Sequence, residues 1–193
     1  MTDFTWPATI IPAGCEWQLR ANTASFGSRA LARAGDRWAC TLSLPVMPRE
    51  KAHVMRAFLA RLRGQAHRVV LPVHAYVRRG ALSSNARVAG AAQTGSTLAM
   101  DGVEGSLTNA LRTGDFVGVA GRLYMVAADA NSNSSGALTV SLTHPLSVAP
   151  ADDALVQVLV PTARFILQGD VSWEHLNLGR MTIAPLNFLE DIA

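Results

Sequence analysis

Residues 36–71 read DRWACTLSLPVMPREKAHVMRAFLARLRGQAHRVVL, and this stretch decides the fold. Between residues 37 and 44 the large apolar residues occupy alternate positions, which is typical of a half-buried strand. The predicted buried face consists of Trp38, Cys40, Leu42 and Leu44. Pro45 ends this strand, because proline cannot donate a hydrogen bond to a strand ladder.

A helix of about residues 48–63 is predicted next. Pro48 suits its start, where a missing backbone N–H has no consequence, and Gly64 is predicted to end it in a left-handed conformation. Apolar residues recur at helical spacing, as they do in a helix with one buried face. They are Ala52, Met55, Phe58, Leu59 and Leu62. A second strand starts at Arg68, and we expect the helix to lie across the sheet that both strands join. The predicted core consists of Trp38, Leu42, Met55, Phe58, Leu59 and Leu62.

The rest of the chain contains many short strand patterns. Two of them flank the link Ala120-Gly121 and predict a hairpin of residues 115–119 and 122–126. A second hairpin, of residues 171–177 and 180–188, is predicted around Leu178-Gly179. The other predicted elements are strands at residues 16–20, 26–32, 137–142, 154–160 and 164–168, a turn at 34–36, and one helical turn at 107–111.

These patterns predict a mainly β protein, a β-rich α+β fold: a β-sandwich with one packed helix and an inserted small β-barrel-like domain. Residues 80–114 are rich in Gly, Ala, Ser, Thr and Asn, which are frequent in turns. Many short strands separated by such turns are typical of a small barrel or sandwich. The expected outer domain comprises residues 1–78 together with 162–193. The expected inserted domain comprises residues 79–161.

Composition limits the class of protein. Of 193 residues 49% are hydrophobic and 16% charged, which indicates a folded chain with a proper core. No run of 18 apolar residues is present, so we expect no transmembrane helix. We also expect no signal peptide and folding in a cytoplasm. There Cys15 and Cys40 are expected to be buried thiols rather than a disulfide.

The net charge of +3 conceals an asymmetry. Residues 1–100 hold 13 Lys and Arg against 4 Asp and Glu, a net of +9, whereas residues 101–193 hold 4 against 10, a net of −6. The arginines are scattered and have no aromatic stacking platform, so nucleic acid is not an expected partner. Two interpretations stay open. The arginines are a solvated surface, or basic and acidic surfaces meet between copies in a head-to-tail ring.

No residue pattern predicts a catalytic, cofactor or metal site, and the chain is not expected to be an enzyme. The loop 129–136 places oxygens at alternate positions, as a calcium loop does. Its sixth position is Ser134 instead of Gly and its twelfth is Val140 instead of Glu, so a flexible hairpin loop is predicted. The histidines lack ligand spacing, and phosphate-loop, nucleophile-elbow and dinucleotide motifs are missing. Asp152-Asp153 is interpreted as a solvated turn and Glu190-Asp191 as a polar tail.

A resemblance extends the interpretation. GDRW at residues 35–38, followed by the alternating strand, the Pro-rich step and RAFLARLRG at residues 56–64, resembles tail proteins of bacteriophages and prophages. The pattern is similar to the distal tail protein group, whose members share a strand–helix–strand core. TGDF at residues 113–116, GRLYMV at 121–126, and the closing Trp173 with the strand through 183–188 also resemble such virion proteins.

The resemblance implies a structural role without catalysis or cofactor. Distal tail proteins form rings, commonly hexameric, where the tail tube meets the baseplate or tip. The implied partners are copies of the chain and other tail proteins, with no nucleic acid and no membrane. The implied location is the virion tail, after assembly in the bacterial host cytoplasm. Many relatives carry a larger peripheral domain, sometimes sugar-binding, and residues 79–161 are small by comparison.

Three functions therefore compete. As a ring subunit, the chain is expected to contact a neighbour through Arg56, Arg61 and Arg63, because the planar guanidinium is favoured at interfaces. As a host-surface carbohydrate-binding module, it would use Tyr124 and the loop 129–136. As a hydrolase, it would use a pair of carboxylates, Asp170 and Glu174.

Overall fold

The computed structural model describes residues 1–26, 29–32 and 35–192, with the backbone alone for residues 23–26 and 29–32. These residues form seventeen strands and one α-helix. The strands before the helix are β1 (Asp3–Thr5), β2 (Gly14–Arg20), β3 (Thr23–Phe26), β4 (Arg29–Ala32), β5 (Arg37–Ser43) and β6 (Met47–Pro48). The helix is α1 (Arg49–Leu62). The strands that follow are β7 (Arg68–Pro72), β8 (Ala86–Val88), β9 (Thr97–Asp101), β10 (Phe116–Val119), β11 (Arg122–Met125), β12 (Leu138–Ser141), β13 (Leu155–Gln157), β14 (Thr162–Gln168), β15 (Trp173–Leu176), β16 (Arg180–Ile183) and β17 (Leu186–Glu190).

The main sheet has six strands in the order β1-β7-β14-β17-β5-β2. Strands from both ends of the chain alternate in it, since β14 and β17 lie between β7 and β5. All pairs are antiparallel except β1 with β7. The prediction that β5 and the strand after the helix join one sheet is confirmed, and the mainly β fold with one helix is confirmed with it.

The helix α1 covers one face of the main sheet. Its predicted apolar stripe is buried, with Met55 and Leu62 completely inaccessible. Trp6 contacts the ring of Phe58 edge-to-face at 5.8 Å and the ring of Phe188 in the main sheet at 6.2 Å. The alternating residues of β5 pack from the sheet side, where Trp38, Leu42 and their neighbours are buried. Aromatic and aliphatic packing therefore holds the helix on the sheet.

A second sheet, the barrel sheet, has the strand order β11-β10-β13-β8-β9-β12. Its two end strands come together, because an isolated bridge joins Val126 to Leu142 and the N–H of Ala127 donates to Ser141 O at 2.8 Å. The curved sheet encloses its own apolar cluster, in which Leu98, Val140 and Val156 are inaccessible. The predicted hairpin around Ala120-Gly121 is confirmed as β10–β11, and both link residues have positive φ, 52° and 77°.

A third sheet, the hairpin sheet, has the order β15-β16-β6. The predicted hairpin around Leu178-Gly179 is confirmed, with a 3₁₀ turn at Asn177–Gly179. The predicted long second strand is wrong, because it divides into β16 in this sheet and β17 in the main sheet. Pro185 lies between them and lacks the N–H that a continuous ladder would need.

The predicted helical turn at residues 107–111 is wrong, since these residues form hydrogen-bonded turns and a bridge from Leu111 to Ala130. The predicted strand 26–32 and the turn 34–36 include residues 27, 28 and 34, which lie outside the described residues. Around the first gap, β3 and β4 pair antiparallel.

Candidate assembly surface

The three arginines predicted at an interface lie along α1 and at its C-terminal end. The guanidinium carbon of Arg56 lies 4.8 Å from the ring centroid of Trp173 in β15. That of Arg61 lies 4.5 Å from the ring of Phe4 in β1. Arg63 is exposed and ends the helix in a left-handed conformation, with φ 49° and ψ 50°. The structure therefore directs Arg56 toward the hairpin sheet and Arg61 toward the edge strand of the main sheet, so the three do not form one cluster.

The hairpin β15–β16 presents apolar side chains to solvent. Leu178 at its tip is 96% exposed, and Trp173 is 41% exposed. All four residues of β15 are exposed, and β15 is an edge strand whose outer backbone groups have no strand beside them among the described residues. Apolar side chains beside an unpaired edge are a surface that another chain can cover.

A groove of about 370 Å³ separates this hairpin from the first turns of α1. Ala52 and Met181, both buried, form its apolar floor. Its other lining residues are Arg49, His53, Arg56, His175, Leu176, Gly179 and Arg180, with no carboxylate among them. The Nε of Arg49 donates to His53 Nε2 at 3.3 Å. Three arginines thus converge on one groove, which makes it an anion-attracting surface.

The predicted polar tail at Glu190-Asp191 is wrong. Glu190 is completely buried, and its carboxylate accepts from Trp38 N at 3.0 Å and Leu123 N at 2.7 Å. Its Oε2 also lies 3.4 Å from Nη2 of the buried Arg122. Burial raises the pKa of Glu190 above its usual range, while Arg122 and the two N–H donors act in the opposite direction. Asp191 is buried as well and pairs with Arg68.

Glu190 therefore joins the main sheet to the barrel sheet, since Trp38 lies in β5 while Leu123 lies in β11. The indole Nε1 of Trp38 donates to Leu123 O at 3.0 Å, which reinforces the same junction. A signal for this role was present in the sequence, because the period of two in β17 places Glu190 on the face of Leu186 and Phe188. We refer to this junction as the seam.

Asp115 is the second acidic residue of the seam. It is completely buried and accepts four hydrogen bonds, from Tyr76 OH and the backbone N–H groups of Arg79, Gly80 and Arg112, each at 2.9 Å. Burial, and secondarily the nearby Asp115 carboxylate, raises the pKa of Tyr76 to about 12. The carboxylate thus fixes the connection that leaves the main sheet for the barrel sheet.

The loop 129–136 uses its oxygens to bind its own backbone, as the prediction of a hairpin loop requires. Asn133 Oδ1 accepts from Ser135 N at 3.0 Å and Ala137 N at 2.9 Å, an Asx-turn arrangement. Asp129 Oδ1 accepts from Thr113 N at 2.8 Å, and this bond holds the pKa of Asp129 below its usual value. No group of three or more His, Cys, Asp or Glu side chains in the described part of the chain is arranged to hold a metal ion.

A sugar site needs a flat, exposed aromatic ring, and the structure contradicts the choice of Tyr124 for that role. Tyr124 is 1% exposed and stacks on the buried His144 with ring centroids 5.0 Å apart. Phe116, the other aromatic residue of residues 79–161, is also buried. Among the aromatic side chains that the structure describes, Trp173 alone is exposed.

The remaining candidates occupy separate places. Asp170 and Glu174, the hydrolase pair, are both exposed. Asp152 and Asp153 lie in an exposed turn, where Asp153 Oδ2 is 3.4 Å from Arg87. Cys15 and Cys40 are free thiols on adjacent strands, but the expectation that both are buried holds for Cys40 alone, since Cys15 is half-buried. Burial raises the pKa of Cys40. The helix that the structure describes is too short to cross a membrane.

No protein-family model matches the chain, and no curated protein is significantly similar to it in sequence.

Proposed function

We propose that the chain is a structural subunit of a bacteriophage or prophage tail, similar to distal tail proteins, which acts by self-assembly into a ring. In this proposal its partners are copies of itself and neighbouring tail proteins. It carries out no catalysis and needs no cofactor, and its place is the virion tail. The resemblance of residues 35–64 and 113–126 supplies the family.

The observation that carries the proposal is the exposed hairpin β15–β16. A hydrophobic tip and an indole ring on an edge strand are costly in a protein that stays monomeric, because they invite association with other chains. A ring subunit buries such a feature against its neighbour. The main sheet also ends in an edge strand, β2, whose side chains are mostly exposed. A subunit that combines an exposed apolar hairpin with uncovered strand edges elsewhere is suited to a heterologous contact that closes a ring.

The mass of the protein in solution tests the proposal, together with images of any ring. We expect the unaltered chain to form a closed oligomer at high concentration. Leu178→Glu is expected to abolish assembly while the monomer stays folded, because it places a charge on the tip of the hairpin. Val77→Glu is the matched control, since Val77 is 82% exposed and lies outside the hairpin.

The arginines supply a second arm of the test. Charge reversal of Arg56, Arg61 and Arg63 together is expected to leave the circular dichroism spectrum unchanged and to block assembly. A chain that remains monomeric at every concentration, or a Leu178→Glu variant that assembles like the Val77→Glu control, would falsify the proposal.

A further inference from the structure

We propose that the basic groove between α1 and the hairpin β15–β16 is the docking site for an acidic turn of a second copy, residues 101–104. This inference rests on the proposed function, because it names the contact that two neighbouring subunits make. The groove is the acceptor and the turn of the barrel sheet is the inserted element. Each subunit carries both, so the contact repeats around a ring.

The groove carries cations that the chain itself does not neutralise. Four arginines elsewhere, Arg68, Arg87, Arg122 and Arg164, each lie within ion-pair distance of a carboxylate. By contrast, no carboxylate of the described residues lies within 4.0 Å of the guanidinium of Arg49, Arg56 or Arg180. Glu50 and Glu174 lie on the two bounding elements, yet neither lines the groove. Like charges that converge without a partner repel one another, and an anion relieves that repulsion.

The groove is also held in shape before anything binds. Arg56 rests against Trp173, and Arg49 is hydrogen-bonded to His53. Side chains that are already ordered lose less conformational entropy when they bind a ligand. Guanidinium groups favour carboxylates because their planar donors match the two carboxylate oxygens. The lining therefore suits a carboxylate-bearing segment of protein.

The choice of the turn follows from the carboxylates that remain free. Many exposed carboxylates are already bound within the chain by a hydrogen bond or an ion pair. These are Asp3, Glu16, Asp129, Asp152 and Asp153. Glu50, Asp170 and Glu174 are also exposed, but they lie on or next to α1 and β15, the two elements that bound the groove. Two exposed acids of the barrel sheet are left, Asp101 at the end of β9 and Glu104 in the turn that follows it. Asp101 lies opposite Arg87 in the strand register, but the Nη1 of Arg87 bonds to Asp153.

The turn is rigid, as an inserted element should be. The N–H of Val103 donates to Gly136 O at 3.3 Å, and Glu104 O accepts from Ser132 Oγ at 2.8 Å. The backbones approach so closely that a Cβ added at Gly136 would lie 2.1 Å from Val103 O. Residues 101–104 are thereby held against the loop 129–136, with their two carboxylates presented to solvent.

Charge reversal on both sides of the contact tests the inference. Arg56→Glu and Arg180→Glu change opposite walls of the groove, and Asp101→Lys with Glu104→Lys changes the turn. Each change is expected to raise the dissociation constant for self-association by about tenfold or more. The matched control is Lys51→Glu, which makes the same change of charge on α1 outside the groove. It is expected to alter the dissociation constant by less than about twofold.

The decisive variant combines Arg56→Glu, Arg180→Glu, Asp101→Lys and Glu104→Lys in one full-length chain. Restored assembly of this chain supports the inference, since each reversed groove then meets a reversed turn. Groove variants that assemble like the unaltered chain overturn the inference. So does a combined variant that is no better than the groove variants, because another segment then occupies the groove. Neither result affects the proposed function, which the Leu178→Glu variant tests separately. An unaltered chain that never associates removes both.

Discussion

At the scale of single residues, the buried polar groups are the most informative feature of this molecule. His144 is 2% exposed, stacks on Tyr124, and its Nε2 makes no hydrogen bond within the described residues. Burial holds the pKa of His144 below its usual value, and the nearby Arg122 lowers it further, although Asp36 acts in the opposite direction. The imidazole is therefore neutral in the folded protein under conditions where the unfolded chain begins to bind a proton.

This lowered pKa predicts a loss of stability in acid. Below a pH of about 6.5 the unfolded state binds more protons at His144 than the folded state, so the free energy of unfolding decreases as the pH falls. The slope due to one histidine approaches about 1.4 kcal/mol per pH unit. In His144→Phe, which keeps a stacked ring, urea denaturation between pH 7.5 and 5.5 is expected to show a smaller slope. Tyr124→Phe should keep the slope of the unaltered protein. Identical slopes for unaltered and His144→Phe proteins would contradict the prediction.

Sequence reasoning was weakest at this scale. Glu190 and Asp191 were interpreted as a polar tail and are buried, and the role of Asp115 was missed. An acidic side chain is usually exposed to solvent. That expectation fails where several N–H donors and an arginine surround the carboxylate. The one sequence signal for burial was the position of Glu190, which shares the apolar face of β17 with Leu186 and Phe188. The donors that bind it come from β5 and β11, which are far away in sequence.

At the scale of elements, the end of α1 stores strain. Arg63 has φ 49°, in the left-handed region, and Gly64 follows with φ 63°. The sequence correctly indicated that the helix ends here, although the left-handed conformation begins one residue before the predicted Gly64. An arginine in this conformation is disfavoured by contact between its Cβ and the backbone, which glycine lacks.

Relief of this strain is expected to stabilise the protein. Arg63→Gly should raise the free energy of unfolding by about 1 kcal/mol, because glycine is the favoured residue at such a helix end. The opposite change is expected for Ala60→Gly, which places glycine inside the same helix and should cost about 1 kcal/mol. Urea denaturation of the two variants at low protein concentration provides the comparison. A lower midpoint for Arg63→Gly would show that the arginine side chain stabilises the helix end more than its conformation destabilises it.

The elements that repeated periodicity specifies were predicted well. The helix, the strand with Trp38 on its buried face, and both hairpins depend on residues that are close in the sequence. The order of strands in the main sheet was not predictable, because β14 and β17 insert between β7 and β5 through pairings that span much of the chain. Pro185 divided a strand between two sheets, and only the three-dimensional packing decides which sheet each half joins.

At the scale of the whole molecule, the seam couples the two larger sheets. Phe116 and Leu123 belong to strands of the barrel sheet, yet they pack in the core of the main sheet. The ring of Trp38 contacts that of Phe116 at 5.2 Å. Glu190 and Arg122 lie buried beside this contact. The apolar packing and the buried ion pair together predict one cooperative unfolding transition for the unaltered protein.

Breaking the ion pair is expected to weaken this coupling. Glu190→Gln and Arg122→Met each leave a buried group without its partner, and each should cost about 3–5 kcal/mol. The double variant should cost clearly less than the sum, because neither charge is then left alone. Calorimetry and urea denaturation supply these values, with Asp153→Asn at the exposed Arg87 pair as a control of at most about 0.5 kcal/mol. Additive losses would contradict a coupled pair.

The charge asymmetry of the sequence takes a different form in three dimensions. Ten acidic residues lie in residues 101–193, but Asp115, Glu190 and Asp191 are buried and do not contribute to an acidic surface. The basic residues are mostly accessible, and three of them line one groove. The order of charges along the chain predicts the asymmetry, whereas the division into buried and exposed charges depends on contacts between residues that are distant in sequence.

The register of β7 with β14 has a consequence for how such chains diversify. Pro72 lies opposite Thr162, so the polypeptide departs from the main sheet and returns to it at neighbouring positions. The roughly ninety residues between them could therefore be replaced by another domain without altering the order of the strands around the junction. Any replacement would have to supply a bulky side chain, as Phe116 does, against the indole of Trp38, or that ring would be exposed to water. We therefore expect natural variants to differ freely in the outer loops of this segment and to keep the side chains that pack against Trp38.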